Sequence, residues 1–191
     1  MQLKEVLFPF DYSKRCRHTA PFVNSVLEKT EAHLTILNVI EDPSARYPPS
    51  AAFLFPQSER DEILAHSTRF LQKYTEETFP GRAVRAVCRM GDPAKEIVRI
   101  ATDSKVNLIM MPTHGCGRFR ALLLGSVTAK VLDEANCPVW TDAHMDEESR
   151  TLGVAVSNIL CAVDDKKESI SGLGVAACRL GFFIRSRDTT A

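Results

Sequence analysis

Short apolar runs alternate with helical stripes along this chain, and each change of period marks an element. Glu5-Val6-Leu7-Phe8-Pro9-Phe10 is short and apolar and runs into Asp11-Tyr12-Ser13, which predicts a buried strand leaving a sheet at a polar turn. From Lys14 to Lys29 the apolar residues Ala20, Val23, Val26 and Leu27 recur at helical spacing, and Pro21 predicts that the regular helix begins only near it. His33 to Ile40 is apolar and β-branched and is closed by Glu41-Asp42-Pro43, the mark of a second strand. Ser58 to Phe79 carries Ile63, Leu64, Phe70, Leu71 and Tyr74 in a helical pattern that stops at Pro80-Gly81. A third strand is expected over Ala83 to Arg89. Asp92-Pro93 then supplies an N-cap followed by proline at the first helical position, and Ile97, Ile100 and Ala101 form that helix's buried stripe. Val106 to Met111 is apolar almost throughout, as a central parallel strand covered on both faces requires. Ser126 to about Ala135 reads as a helix with Val127, Val131 and Leu132 facing inward, and Cys137 to Thr141 as a last strand.

Strands and helices that alternate in this way predict the α/β class: an open, five-stranded parallel sheet with right-handed crossovers and helices on both faces. Pro43 to Pro56, with Tyr47, Pro48-Pro49, Phe53 and Phe55, reads as a long irregular crossover, either a plain surface loop or a partial cover for a ligand cleft. Past an acidic connector the pattern restarts. Asn158-Ile159-Leu160-Cys161-Ala162-Val163-Asp164 can be laid on Glu5 to Asp11 with aspartate on aspartate, although no further strand follows before Ala191. The expected organisation is one complete domain over 1–143, a connector over 144–157 and the truncated start of a second copy over 158–191.

Composition adds little of its own. Of the 191 residues 45% are hydrophobic and 25% charged, which excludes disorder, collagen and a disulfide scaffold. Lys and Arg (24) balance Asp and Glu (24), so no net field draws the chain to nucleic acid or an anionic membrane, and any anion site must be local. No window approaches the run of about 18 apolar residues that a membrane span needs. The N-terminus has no apolar stretch of the signal-peptide kind, so a cytoplasmic protein is expected. The six cysteines lack zinc or redox spacing and read as reduced small hydrophobes, with Cys116 set apart by its place in a glycine loop.

Ligands of open parallel sheets bind outside the carboxyl ends of the strands, where the strand order reverses, so the polar residues that follow the strands carry the chemistry. Those are Asp11, Asn38-Val39 and the loop from Pro112 to Thr128. Nine residues separate Gly115 from Gly125-Ser126, which stands directly before a helix whose free N–H groups and positive dipole end face outward. Glycine permits close approach to a phosphate, and the Ser126 and Thr128 hydroxyls add donors, Ser126 serving equally as an N-cap. The bland alternative is that Gly115 turns the chain and Gly125-Ser126 caps a helix. His114 is either a phosphate or ribose contact or a turn residue. Arg118 and Arg120 either face the phosphates or form a solvated basic face.

Pro9-x-Asp11, Val39 at its strand end, Thr113-His114-Gly115, nine residues, Gly125-Ser126-Val127-Thr128 and Cys137-Pro138-Val139 together resemble a universal stress protein domain over about residues 1 to 143. The resemblance implies a Rossmann-like fold of the adenine nucleotide alpha hydrolase type. In ATP-binding members the motif is Gly-x-x-Gly, nine residues, Gly-Ser/Thr. By position Asp11 would contact the adenosine, Val39 the adenine through its backbone, and His114, Gly115, Gly125, Ser126, Val127 and Thr128 the phosphates and ribose, with Pro9 and Met111 beside them. It further implies ATP, with Mg2+ held mainly by phosphate and water, and a homodimer through the last strand at Val139 and Trp140. Pro112 departs from the pattern, since it replaces the first glycine and removes a backbone N–H. Asn107 also departs, standing where members often carry an acid, and little is expected of it. The readings that follow are a regulatory ATP-binding protein with slow or no hydrolysis, a nucleotide-free dimeric interaction protein, or an enzyme of the related hydrolase group. The enzyme is opposed by the lack of a paired base or second carboxylate in the cleft.

Overall fold

The computed structural model describes residues 3–42, 56–113 and 125–142. In chain order these form β1 (Glu5–Pro9), α1 (Lys14–Lys29), β2 (His33–Ile40), α2 (Gln57–Thr78), β3 (Val84–Met90), α3 (Pro93–Asp103), β4 (Leu108–Pro112), α4 (Ser126–Glu134) and β5 (Val139–Asp142). The strands make one parallel sheet in the order β3-β2-β1-β4-β5. The fold is therefore the expected open, five-stranded Rossmann-like α/β sheet. The proposed connector and second copy, from residue 144 onward, lie outside the described residues.

Adjacent strand residues point to opposite faces, so Leu7 and Phe8 enter two different cores. Phe8, Ile36, Val23, Leu27, Leu71 and Phe79 pack between the sheet and the α1/α2 layer. Leu7, Leu37, Ile97, Ile100, Ile109 and Val131 pack between the sheet and the α3/α4 layer. Leu7, Phe8, Ile36 and Ile109 have no measurable exposure, as befits central strands covered on both sides.

Two expectations need correction, the start of α1 and the inward place of Leu132. α1 is regular from Lys14 and passes through Pro21 instead of starting there. Ser13 caps it, its Oγ accepting the Cys16 N–H at 3.1 Å, and Cys16, Thr19, Ala20, Val23 and Leu27 bury one continuous face. Burial of that face outweighs the roughly 3 kcal/mol that an interior proline costs. In α2, Ile63 and Phe70 stay exposed, because the buried line runs through Leu71 and Thr75 and a neighbouring position points about 100° away. Leu132 is exposed for the same reason, with Val131 taking the inward place on the short α4. Asn107 proves structural: its Oδ1 accepts the N–H groups of Lys4 at 2.8 Å and Glu5 at 3.0 Å, tying the start of β1 to β4. Asp92 and Pro93 open α3 as expected, with Asp92 Oδ1 accepting the Lys95 N–H at 3.1 Å.

Candidate functional site

The two halves of the sheet meet where β1 lies beside β4. β1 pairs with β2 as far as Pro9 opposite Leu37, and β4 pairs with β5 as far as Pro112 opposite Asp142. β1 and β4 pair only at Val6–Leu108 and Leu7–Ile109. Above that level no registered pair joins the two strands. The order β3-β2-β1-β4-β5 makes this junction the topological switch point, because β1 leads outward to β2 on one side while the chain returns to β4 on the other.

On the β1 side, the chain turns through Asp11, Tyr12 and Ser13. Asp11 is exposed, and its Oδ1 accepts the Ser13 N–H at 2.9 Å, an Asx turn that aims the carboxylate out of the strand end. Tyr12 adopts the left-handed conformation, φ 61°, unusual for a bulky residue and held by packing. Its ring meets Phe10 at 4.9 Å and Phe70 at 5.2 Å, while Tyr74 stacks on Phe10 at 4.3 Å. The Tyr12 hydroxyl is buried without a partner among the described residues. Burial pushes its pKa up to about 12. Below the turn, the Cys16 thiol donates to the Pro9 carbonyl at 3.7 Å, and burial first, then the negative Asp11, hold it well above the usual thiol range. It is a packing group rather than a nucleophile. Lys14 and Arg15, at the N-terminus of α1, are exposed and form no ion pair among the described residues, which adds positive potential at this end of the sheet.

On β2, Asn38 is buried and donates its Nδ2 to the Phe10 carbonyl at 2.8 Å, while the next residue, Val39, is half-buried at the strand end. Sequence reasoning named Asn38 only by position and missed this role.

On the β4 side, Met111 and Pro112 are buried, and Met111 is the next-to-last residue of β4, as Pro9 is the last of β1. Gly125 donates its N–H to the Thr113 carbonyl at 2.9 Å and is the N-cap of α4, a place that Ser126 was expected to share. Its φ of −59° and ψ of 144° suit any residue, so what glycine offers here is bare backbone. Helix geometry leaves the N–H groups of Ser126, Val127 and Thr128 without an intrahelical acceptor, the first such bond being Ala129 N–H to the Gly125 carbonyl. Ser126 is exposed and Val127 half-buried. Thr128 corrects the expectation placed on its hydroxyl: the side chain is buried and its Oγ1 donates to the Pro112 carbonyl at 3.2 Å. It positions α4 on β4, and only its backbone N–H faces the helix end.

The structure thus brings Pro9, Asp11, Val39, Met111, Gly125, Ser126, Val127 and Thr128 to one end of the sheet. His114, Gly115, Cys116, Arg118 and Arg120 lie outside the described residues, as do Tyr47, Phe53 and Phe55. Among the described residues no three His, Cys, Asp or Glu side chains gather as a metal site, and no helix is long and apolar enough to cross a membrane. A cavity of about 240 Å3 lies at the opposite end, by Thr30, His33 and Arg82. The Arg82 guanidinium is already engaged by Asn24 and the Leu27 carbonyl, and no strand carboxyl end faces it.

The comparisons with known proteins agree with this architecture. The model of the universal stress protein family matches residues 2–141. Universal stress protein MJ0577 of Methanocaldococcus jannaschii is 25% identical over 149 residues, which take in 71% of this chain and 92% of the relative. Universal stress protein Sll1654 of Synechocystis is 27% identical over 140 residues, 73% of this chain and 85% of the relative. Among solved structures, that of MJ0577 superposes with a TM-score of 0.63 at 25% identity, covering 77% of this chain and 100% of that one. UspA from Lactobacillus plantarum gives 0.60 at 23% identity, over 74% of this chain and 98% of that one, and so speaks to the fold alone.

Proposed function

The chain belongs to the universal stress protein family, and from that premise we propose that it binds an adenine nucleotide, ATP with Mg2+, in the gap between β1 and β4. It acts as a regulatory or stress-response protein, with slow or no hydrolysis. The observation that carries this reading is the β1/β4 junction, where registered pairing ends at Leu7 and Ile109 and donors of the right kind stand on both rims. The N–H groups of Ser126, Val127 and Thr128 at the positive end of α4 suit phosphate oxygens. Asp11 suits a ribose hydroxyl, and the Val39 backbone suits a base edge. These residues fit the nucleotide without a metal ligand of their own, which leaves Mg2+ to phosphate and water. No catalytic residue is assigned: Asp11 already accepts the Ser13 N–H, and no group of three His, Cys, Asp or Glu side chains gathers among the described residues. Among the described residues Cys16, Cys88 and Cys137 form no disulfide, which suits a reducing compartment, and we place the protein in the cytoplasm.

A second reading, a nucleotide-free homodimer acting by interaction, is favoured by Pro112, which closes β4 where ATP-binding members have glycine. Among the described residues β5 is an edge strand, with Trp140 half-buried against Phe22 at 5.8 Å and Val139 on the opposite face, and in either reading this is the edge through which a second copy would pair. Calorimetric titration with Mg-ATP separates the two. Saturable heat from the parent protein supports the first reading, and heat gained only by Pro112→Gly supports the second.

A further inference from the structure

We infer that Asn38 is a positioning residue that keeps the backbone pair of Val39 free to read a ligand's base edge. This rests on the nucleotide-binding reading above. In a parallel ladder, successive residues present their N–H and C=O groups to opposite neighbours. Leu37 faces β1, where its carbonyl accepts the Phe10 N–H at 2.8 Å, and Ile40 faces β3, beyond whose end its carbonyl accepts the Gly91 N–H at 2.9 Å. Val39 therefore shares Leu37's side and aims both its groups past the end of β1, toward the gap.

A continued ladder would let the Val39 N–H donate to the Phe10 carbonyl. Instead Asn38 Nδ2 donates to that carbonyl at 2.8 Å, and no bond from Val39 reaches it. Asn38 is 7% exposed, and a buried amide in an apolar strand is tolerable only when hydrogen-bonded, so its place is set by this one contact. The left-handed Tyr12 then carries the chain away from β2. The side-chain amide thus ends the ladder one bond early and satisfies the carbonyl that would otherwise capture Val39. What remains is a donor beside an acceptor at a strand edge, complementary to a heteroaromatic edge with an acceptor beside a donor, as in the N1/N6 edge of adenine.

Residue-resolved amide exchange on the full chain without nucleotide, in parent and Asn38→Leu proteins, followed by Mg-ATP titration of both, tests this. In the parent, the Val39 amide should exchange roughly 100-fold faster than that of Leu37, since it lacks the ladder bond. In Asn38→Leu the ladder lengthens, the Val39 amide slows toward Leu37, and Mg-ATP affinity falls about tenfold, the value of one hydrogen bond. Equal protection of Val39 and Leu37 in the parent overturns the inference, and this arm needs no variant to fold. Parent-like affinity in Asn38→Leu overturns it as well. Absence of binding to the parent, with the exchange pattern as described, counts against the nucleotide reading and leaves the ladder-ending role of Asn38 standing.

Discussion

The two rims of the gap are built on different principles. The β1 rim is held by side chains: Asn38 on the Phe10 carbonyl, Asp11 on the Ser13 N–H, Cys16 on the Pro9 carbonyl, and Tyr12 wedged between Phe10 and Phe70. The β4 rim, as far as the described residues go, is mostly backbone: Gly125 N–H on the Thr113 carbonyl, and three outward N–H groups at the start of α4, with the Thr128 hydroxyl as a side-chain tie. A rim of side chains discriminates, because each contact depends on one residue type. A rim of backbone N–H groups binds anions of any identity and fails only when a bulky or negative group blocks it.

That difference orders the predictions. Gly125→Glu brings a carboxylate to the N–H groups of α4 and should cost on the order of 100-fold in Mg-ATP affinity while the fold persists, by calorimetry and circular dichroism. Thr128→Val keeps the volume but leaves the buried Pro112 carbonyl unpaired, so it should destabilise the protein by about 1–2 kcal/mol in urea unfolding and loosen the β4 rim. Parent-like stability would mean that the tie is idle.

Asp92→Ala removes the α3 cap together with the ion pair to Lys130 of α4, and should cost about 1 kcal/mol of stability with less effect on affinity than either rim variant. The Lys95 N–H, and then Lys130 at 3.6 Å, hold the Asp92 carboxyl below the ordinary aspartate range. Its stabilisation is therefore complete above about pH 4 and lost as pH falls further, so the parent and Asp92→Ala stability curves should converge in acid. The smallest effect is expected at Tyr12→Phe, which removes a hydroxyl buried without a partner among the described residues. Stability should be unchanged or up by about 0.5 kcal/mol, and a loss above 1 kcal/mol would reveal a partner on the β1 rim.

The β4 rim was the more legible in sequence. Glycine before a serine at a helix start is a local signal, and the structure places Gly125 and Ser126 there; likewise Asp92-Pro93 announced α3, and the runs from Glu5 and His33 announced the central strands. The β1 rim was legible only as Asp11 and Val39, known by position and family resemblance. The contact of Asn38 with Phe10 spans 28 residues, and that of Asn107 with Glu5 spans 102, so no local pattern encodes either. Periodicity also misplaced Leu132, because spacing marks a helix but not the rotation at which it docks. Pro21 misled in the same way, since tertiary burial overrode a local preference. The hydroxyl of Thr128 read as a donor to ligand from sequence, and only the fold shows the Pro112 carbonyl beneath it.

The most direct test of the central claim is a residue-resolved amide shift map on titrating the full chain with Mg-ATP. The gap between β1 and β4 should respond as one site, with saturable shifts at Asp11, Val39 and Ser126 to Thr128 fitting a single affinity, and no response at Thr30, His33 or Arg82 at the far end of the sheet. Shifts confined to that far end, or none at any concentration up to several millimolar, would contradict it.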